Sequence, residues 1–420
     1  MKILWITNTI FPEFAKYLEI PVPFVGGWMF GLGRAMARFE DIELTVATVT
    51  VSSKDQTFVS EGITHYLIKG SKIKNKYDKR LEPKWKRIID EVQPDVIHMH
   101  GSEYAHGLSL MKVYPEGNFV VSIQGLISVY TRYYLARLGR GDILSTITIR
   151  DLIKRDSILD QHKEFKIRGK TVELPILKGV KHIIGRTSWD YSHAKAINPT
   201  VNYHFQNESL RDPFYSSTKW SFDNCTPYTI FISQSTRPLK GLHQVIKAVS
   251  LINEDYPKIQ LRIAGSNIIR PSRFGKRPLK GYGVYIKKLG AKLGLLNQMT
   301  FLGGLTAEQM ISEYLNCHLF ICPSSIENSP NSLGEAQILG TPIIASYTGG
   351  IPDMVTHKIT GLLYRFEEHE MLAQEIKRIF DSQELSKSIS QEGIEVATIR
   401  HNRETNSQRL HQIYKIINNH

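Results

Sequence analysis

The segment Pro323 to Gly340 reads Pro-Ser-Ser-Ile-Glu-Asn-Ser-Pro-Asn-Ser-Leu-Gly-Glu-Ala-Gln-Ile-Leu-Gly. It holds two carboxylates, Glu327 and Glu335, eight residues apart, with small polar residues between them. Glu327 falls in a loop and Glu335 in the first turn of a helix, so both can face one crevice. Ser329, Asn331, Ser332 and Leu333 lie between them, where backbone N–H groups at a helix N-terminus can reach an anion. A phosphate there, with carboxylates accepting from sugar hydroxyls on either side, would hold a nucleotide-sugar. Ser332 and Glu335 also have the spacing of a capping box, which would leave Glu335 only capping its helix.

A second loop, Ser233-Gln-Ser-Thr-Arg-Pro-Leu-Lys-Gly241, places Ser235, Arg237 and Lys240 past a strand and before a helix. There Arg237 and Lys240 would neutralise a departing diphosphate; the alternative is an exposed basic turn. The pattern G-x-x-x-x-G-K-[ST] of a P-loop is absent. In the first half, Gly26-Gly27 precedes a helix at Trp28, either letting backbone approach a ligand or making a turn. Pro94-Asp-Val-Ile-His-Met-His-Gly101 ends a strand with His98 and His100. His98 reads as structural. His100, His106 and Gln124 lie nearer the expected crevice, and binding and structural roles stay open for them.

The elements that must carry these loops form two alternating series. Continuous apolar runs, as expected of parallel strands covered on both faces, mark strands at Lys2 to Thr7, Leu44 to Val49, Asp95 to His100, Phe119 to Gln124 and His182 to Gly185, with Ile63 to Ile68 a less continuous one. Helices are expected at Trp28 to Phe39 and Leu81 to Val92. The second series has strands at Tyr228 to Ser233, Gln260 to Ala264, Met299 to Leu302, Leu319 to Cys322 and Pro342 to Ser346. Its helices are Leu242 to Asn253, Val284 to Leu293, Ala307 to Leu315, with a capping box at Thr306-Ala-Glu-Gln309, and Ser332 to Leu339. Two βα arrays predict two doubly wound domains, with ligands beyond the carboxyl ends of the strands. The expected boundaries are 1–206 for the first domain, a linker at 207–226 (Asn207 to Thr226), and 227–399 for the second. The last helix, within about 400–420 (Arg403 to Ile417), would pack back on the first domain.

No stretch reaches the roughly 18 apolar residues that span a bilayer, and Met1-Lys-Ile-Leu-Trp-Ile-Thr-Asn reads as a first strand and not a signal peptide. Three cysteines, Cys225, Cys317 and Cys322, suit a reducing cytoplasm and no disulfide framework. No second ligand cluster accompanies Cys317 and Cys322, which argues against zinc. Net charge is +13, which implies an anionic partner. The excess gathers in two segments: Lys69, Lys72, Lys74, Lys76, Lys79, Arg80, Lys84, Lys86 and Arg87 with Tyr77 and Trp85; and Arg132, Arg137, Arg140, Arg150, Lys154 and Arg155 with Tyr130, Tyr133 and Tyr134. Basic residues mixed with aromatics suit an anionic membrane surface, or nucleic acid, or a merely solvated face.

The chain resembles a retaining glycosyltransferase of family 4 with the GT-B fold, and the resemblance covers nearly all of it. It rests on Gly26-Gly27, Pro94-Asp-Val-Ile-His-Met-His, Pro238-Leu-Lys-Gly241, Ile263-Ala-Gly, Phe301-Leu-Gly, the Glu-x7-Glu pair and Gly349-Gly350-Ile-Pro-Asp353, in that order. It implies an α/β chain of two Rossmann-like domains facing a central cleft. Glu327 would contact the donor sugar and Glu335 the ribose, while amides around Asn331 to Leu333 would hold the diphosphate or sugar. Lys240 matches the family's phosphate-binding lysine, and Ser235, Ser329 and Gly304 complete the donor side. The acceptor would lie against Gly26, Gly27, His100, His106 and Gln124. Two departures stand out: Gln234-Ser235 replaces the family's Gly-Arg, leaving Arg237 to substitute, and Gln124 stands where the family often has His.

The implied chemistry is transfer of a sugar from a nucleotide-diphosphate sugar, UDP- or GDP-linked, to a glycan or lipid-linked glycan acceptor in surface polysaccharide assembly. No cofactor is needed, because the nucleotide-sugar is a substrate. No Asp-x-Asp signature occurs and no metal is expected, so Lys240, Arg237 and the helix N-terminus must meet the leaving diphosphate's charge. A retaining glycosidase needs two carboxyls about 5 Å apart; no such nucleophile is evident, so Glu327 is given an electrostatic and positioning role. The expected location is the cytoplasm, peripheral at the inner face of the membrane, with nucleic acid not a partner. A nucleotide-sugar epimerase, a nucleic-acid binder and an idle nucleotide-sugar sensor are the other readings.

Overall fold

The computed structural model describes residues 1–23, 26–51, 54–70, 76–270 and 279–419; Lys72 and Lys74 of the first basic segment lie outside them. The contacts divide the chain into two units. Unit 1 is Met1–Val129, Lys166–Arg211 and Arg400–His420, and unit 2 is Tyr130–Phe165 and Asp212–Ile399.

Unit 1 is built on β1 (Lys2–Thr7), β2 (Glu43–Thr50), β3 (Gln56–Ser60), β4 (Ile63–Lys69), β5 (Val96–His100), β6 (Phe119–Ser122), β7 (His182–Gly185) and β8 (Asn202–Phe205). Their order is β3-β4-β2-β1-β5-β6-β7-β8, parallel except for β3 against β4. The central strands are apolar throughout because helices cover both faces. Unit 2 carries β9 (Thr226–Ile232), β10 (Gln260–Ile263), β11 (Met299–Phe301), β12 (Cys317–Cys322), β13 (Ile343–Ser346) and β14 (Leu362–Tyr364), in the order β11-β10-β9-β12-β13-β14, all parallel. Both sheets are doubly wound α/β arrays of Rossmann-like form.

β3, β8 and β14 carry no sequence expectation, for physical reasons. β3 alternates burial at an edge, β8 is the polar edge strand Asn-Tyr-His-Phe, and β14 has only three residues. The capping box at Thr306 forms, with Gln309 N–H donating to Thr306 Oγ1 at 3.3 Å and Thr306 N–H to Gln309 Oε1 at 2.9 Å.

A single cut at 206 does not describe the division. Tyr130–Phe165, which follows the sixth strand, is part of unit 2. Nor is 207–226 a free tether. Residues up to Arg211 stay with unit 1, while Trp220 is buried in unit 2, donating Nε1–H to the Cys317 carbonyl at 2.8 Å and its backbone N–H to the Leu339 carbonyl at 2.7 Å.

The last helix, Arg403–Asn418, lies in unit 1. Trp5 Nε1–H donates to Tyr414 OH at 2.7 Å, so the tyrosine's one proton goes to His98 Nδ1 at 2.6 Å. That leaves His98 Nε2 protonated, donating to Ser122 Oγ at 2.6 Å. Burial pushes the His98 pKa down to about 3, so the neutral ring is fixed in one tautomer between β1, β5, β6 and the last helix.

Candidate active site

The loops after β9 and β12 are adjacent in unit 2 because those strands pair. Ser325 N–H donates to the Leu239 carbonyl at 2.8 Å. The contact requires Gly241: at φ +70°, a Cβ there would stand 1.7 Å from the Pro323 carbonyl oxygen. Gly349 does the same one loop on, where a Cβ would stand 1.8 Å from the Glu327 carbonyl oxygen. That carbonyl accepts from Gly350 N–H at 3.0 Å.

This interlock brings Lys240 and Glu327 together. Lys240 Nζ donates to Glu327 Oε1 at 2.5 Å, and Ser324 Oγ donates to the same oxygen at 2.7 Å. The Ser324 carbonyl is held in turn by Ser346 Oγ at 2.5 Å and Thr348 Oγ1 at 3.2 Å. Burial, with the Glu327 charge adding to it, pushes the neighbouring Cys322 thiol up to about 12, so it stays protonated and inert.

The helix Asn331–Leu339 starts with Pro330 as its N-cap, which supplies no side-chain cap. Ser332 is therefore the second helical residue, and the capping box it could have made with Glu335 is not what starts the helix. Leu333 and Gly334 N–H groups return to the Pro330 carbonyl at 2.9 and 3.4 Å. The Asn331 and Ser332 amides precede the first intrahelical bonds, where an anion is favoured. Glu335 is buried, with Tyr314 OH donating to the Ser332 carbonyl at 2.9 Å and standing 3.5 Å from Glu335 Oε2. Leu333 puts its side chain in the core, and Ser329 Oγ reaches Met354 Sδ at 3.4 Å.

Arg237 is not gathered into this pair. It is exposed, with its guanidinium 5.3 Å from the centroid of the Phe165 ring. Ser235 is fully buried, and its Oγ has no partner among the described residues. Gly304 is exposed beside Gly303, whose backbone bonds Gly265 in both directions at 2.7 and 3.1 Å.

The first-half candidates lie in unit 1. Gly26 is left-handed at φ +86° and starts the helix Gly27–Met36. Gly27 is covered by the Arg211 stem, since a Cβ there would stand 2.5 Å from Arg211 Cγ. His100 is buried between Trp5 and Trp28, stacked on His98, and neither ring nitrogen has a partner among the described residues. Burial, with the Arg186 charge adding to it, holds it far below the ordinary histidine range, so it is neutral. His106 opens the helix His106–Val113 and stacks on Tyr104 with centroids 5.6 Å apart.

Gln124 leads to a cluster with no sequence signal, because its members are spread over three strand-end loops. Gln124 Nε2–H donates to Glu208 Oε1 at 2.9 Å, and Arg186 Nη1 pairs with the same oxygen. Arg186 Nη2 donates to the Ile123 carbonyl at 2.6 Å, and His401 Nδ1 to the Glu208 carbonyl at 2.7 Å. Among the described residues no group of three or more His, Cys, Asp or Glu is placed to hold a metal ion.

Residues 218–396 match the family Glycosyl transferases group 1. A D-inositol 3-phosphate glycosyltransferase of Streptomyces griseus subsp. griseus is 28% identical over 149 residues, 36% of this chain and 31% of that protein. One from Mycolicibacterium vanbaalenii is 30% identical over 132 residues, 30% of this chain and 28% of that protein. The chain thus matches about a third of the length of these curated relatives. Over 99% of both chains it superposes on a sucrose-phosphate synthase from Thermosynechococcus elongatus with TM-score 0.73 at 17% identity. The Anabaena protein HepE in complex with UDP-glucose superposes with TM-score 0.65 at 15% identity, over 99% of this chain and 100% of that one. The two-sheet architecture is therefore that of the GT-B fold, and the stretch that carries both interlocked loops, 218–396, matches the Glycosyl transferases group 1 family.

Proposed function

We propose that the protein transfers a sugar from a nucleotide-diphosphate sugar to a saccharide or lipid-linked saccharide at an anionic membrane surface, with retention and without a metal, in surface polysaccharide assembly. The observation that carries the transferase reading is the Lys240–Glu327 pair, set on interlocked loops beside a helix N-terminus without a side-chain cap. The donor diphosphate takes the Asn331 and Ser332 amides and draws Lys240 off Glu327. Glu327, still held by Ser324, then accepts from a donor-sugar hydroxyl. The ammonium that neutralised Glu327 at rest thereby meets the charge that develops on the leaving nucleotide. Glu335 receives the ribose, as the family resemblance implies. Retention and the polysaccharide role follow the family resemblance, and the lack of an Asp-x-Asp signature adds to it for metal independence. The Anabaena protein's complex with UDP-glucose makes UDP-glucose the first donor to test.

The test is a thermal-shift screen of nucleoside diphosphates and nucleotide-sugars on the wild type and Glu335→Ala. A ligand at about 100 times its dissociation constant adds about 2.7 kcal/mol of stability. The expected result is a shift with one nucleotide family that is lost in Glu335→Ala; a folded wild type that responds to none of them ends the reading.

A further inference from the structure

Most helices of this chain bury their apolar residues and expose their charges. One stretch of unit 2 does the opposite. Between the helices Arg140–Leu144 and Ile149–Lys154, Leu144 is 61% exposed, Ile149 77%, Leu152 68% and Ile153 77%, while Asp151 is fully buried. Thr146 and Ser157 are buried as well. An exposed cluster of large aliphatic side chains beside a buried acid is the informative departure from ordinary burial.

The polar side is occupied in full. Asp151 and Thr148 cap the second helix reciprocally at 3.1 Å each way. Arg150 bridges Asp151 at 3.2 Å and Asp156 at 2.9 Å. From the helix Gly281–Lys292 and its start, Lys280 Nζ pairs with Asp156 at 2.8 Å and Lys288 Nζ donates to the Ser145 carbonyl at 2.9 Å. The stretch is thus fastened by its polar groups and cannot roll its isoleucines inward without breaking them.

We infer that residues 140–155 form the surface by which this protein docks on an anionic lipid bilayer, with Leu144, Ile149, Leu152 and Ile153 entering the headgroup–acyl boundary and Arg140, Lys154 and Arg155 meeting lipid phosphates. Charge selects lipid over a second copy of the chain. Within residues 130–155, Arg132, Arg137, Arg140, Lys154 and Arg155 are all exposed and Asp142 is the single exposed acid, so two copies docking by this segment would set like charges together whereas anionic lipid neutralises them. Among the described residues no helix is long and apolar enough to cross a membrane, so the contact lies on the surface. The base of the same segment is tied to the donor loops: Ser325 Oγ donates to the Tyr133 carbonyl at 2.9 Å, two residues from Glu327, and His243 Nε2 to the Ala136 carbonyl at 2.9 Å. Docking here would hold the donor loops at a fixed height above the bilayer.

This narrows the membrane part of the proposed function and rests on it. The other basic segment serves as the comparison: there Trp85 is fully buried, donating to Ser109 Oγ at 3.1 Å, Lys84 pairs with Asp55 and Arg80 with Asp78, while Lys86 and Arg87 stay exposed.

The experiment is co-sedimentation of the full chain with vesicles of phosphatidylcholine alone or mixed with phosphatidylglycerol, at physiological salt. The wild type should bind the mixed vesicles. Ile149→Ser/Leu152→Ser/Ile153→Ser should lower its partition coefficient roughly a hundredfold and Arg140→Gln/Lys154→Gln/Arg155→Gln roughly tenfold or more, while Lys84→Gln/Lys86→Gln/Arg87→Gln binds like the wild type. A wild type that ignores both vesicles overturns the membrane reading altogether. A wild type that binds while the serine variant binds equally well overturns this surface alone. Loss of a solution dimer in the serine variant, with no lipid binding by the wild type, gives the patch to a second copy. UDP stabilisation, read in the same preparations, reports separately on the transferase reading. Should the serine variant not fold, a fluorophore on Ile153→Cys decides, because the three native cysteines are buried: it should brighten on mixed vesicles while one on the exposed Val59→Cys of unit 1 does not, and equal responses would overturn the inference.

Discussion

Two ion pairs stand at strand-end loops, one in each unit, and they are built for different purposes. Arg186 and Glu208 in unit 1 have side chains only 3% and 8% exposed, and Ile123, Gln124 and His401 pin them from three directions. Lys240 and Glu327 in unit 2 are 21% and 11% exposed, and the lysine reaches its partner on a flexible stem. Parting the first pair would strand a charge in a dry interior. The second borders water, and under the proposed function it trades its partner for a ligand. The chemistry of the two pairs is nearly the same, so exposure and the number of fixed neighbours separate a strut from a switch.

The largest expected effect tests the strut. Glu208→Ala leaves Arg186 buried and uncompensated, and should cost about 3–5 kcal/mol in chemical denaturation. A loss below about 1 kcal/mol would place the pair with ordinary surface bridges and dissolve the contrast. The switch is tested by Lys240→Ala, which should lower donor turnover with UDP-glucose by about 10²–10³-fold while costing less stability than Glu208→Ala, because Glu327 keeps its bond from Ser324. Equal destabilisation by the two variants would show that Lys240 is also a strut.

The dryness of unit 1's loops has a pH signature. Glu103, after β5, has a sealed and unpartnered Oε2, and burial, with the Glu173 charge adding, raises its pKa to about 7. A carboxyl raised on folding favours the folded state when protonated. The stabilisation is complete below the unfolded value of about 4.3 and is lost as pH rises through about 7, amounting to at most about 4 kcal/mol. Buried histidines such as His98 and His243, whose pKa values burial lowers, add stability over the same range, so the difference is what is read: between pH 4.5 and 7.5 the wild type should lose stability relative to Glu103→Gln. Identical profiles would mean that the loop is wet, which would blur the difference between the units.

Much of this was legible in the sequence. Both sheets could be read because buried parallel strands are apolar runs, and the two loops around Lys240 and Glu327 because their charges follow such runs directly. Burial was harder to read. Trp85 sits among lysines in the chain yet faces the core, because the helix Glu82–Val92 turns its apolar face inward at a 3.6-residue period. Tyr130–Phe165 could not be assigned to unit 2 from order alone, since its fastening runs through Lys280 and Lys288, more than a hundred residues away. Glu208 carries no sequence signal for a like reason: its partners Gln124, Arg186 and His401 lie far apart in the chain and meet only in the fold.

The smallest expected effect bears on Arg237, which the sequence sets beside Lys240 as a second charge for the diphosphate. At rest its guanidinium covers Phe165, an exposed cation–π contact worth about 0.5–1 kcal/mol. Phe165 closes the segment that also carries the exposed isoleucines, so Arg237 is engaged in fastening that segment to the β9 loop. Arg237→Gln should therefore lower stability by less than about 1 kcal/mol and weaken UDP far less than Lys240→Ala does, as read by titration calorimetry. Comparable losses of UDP affinity would mean that the guanidinium leaves Phe165 when the nucleotide arrives. Lys240 would then be one of two partner-exchanging cations in unit 2, and the arginine that the resembled family has at the position of Ser235 would be made good from two residues further along the loop.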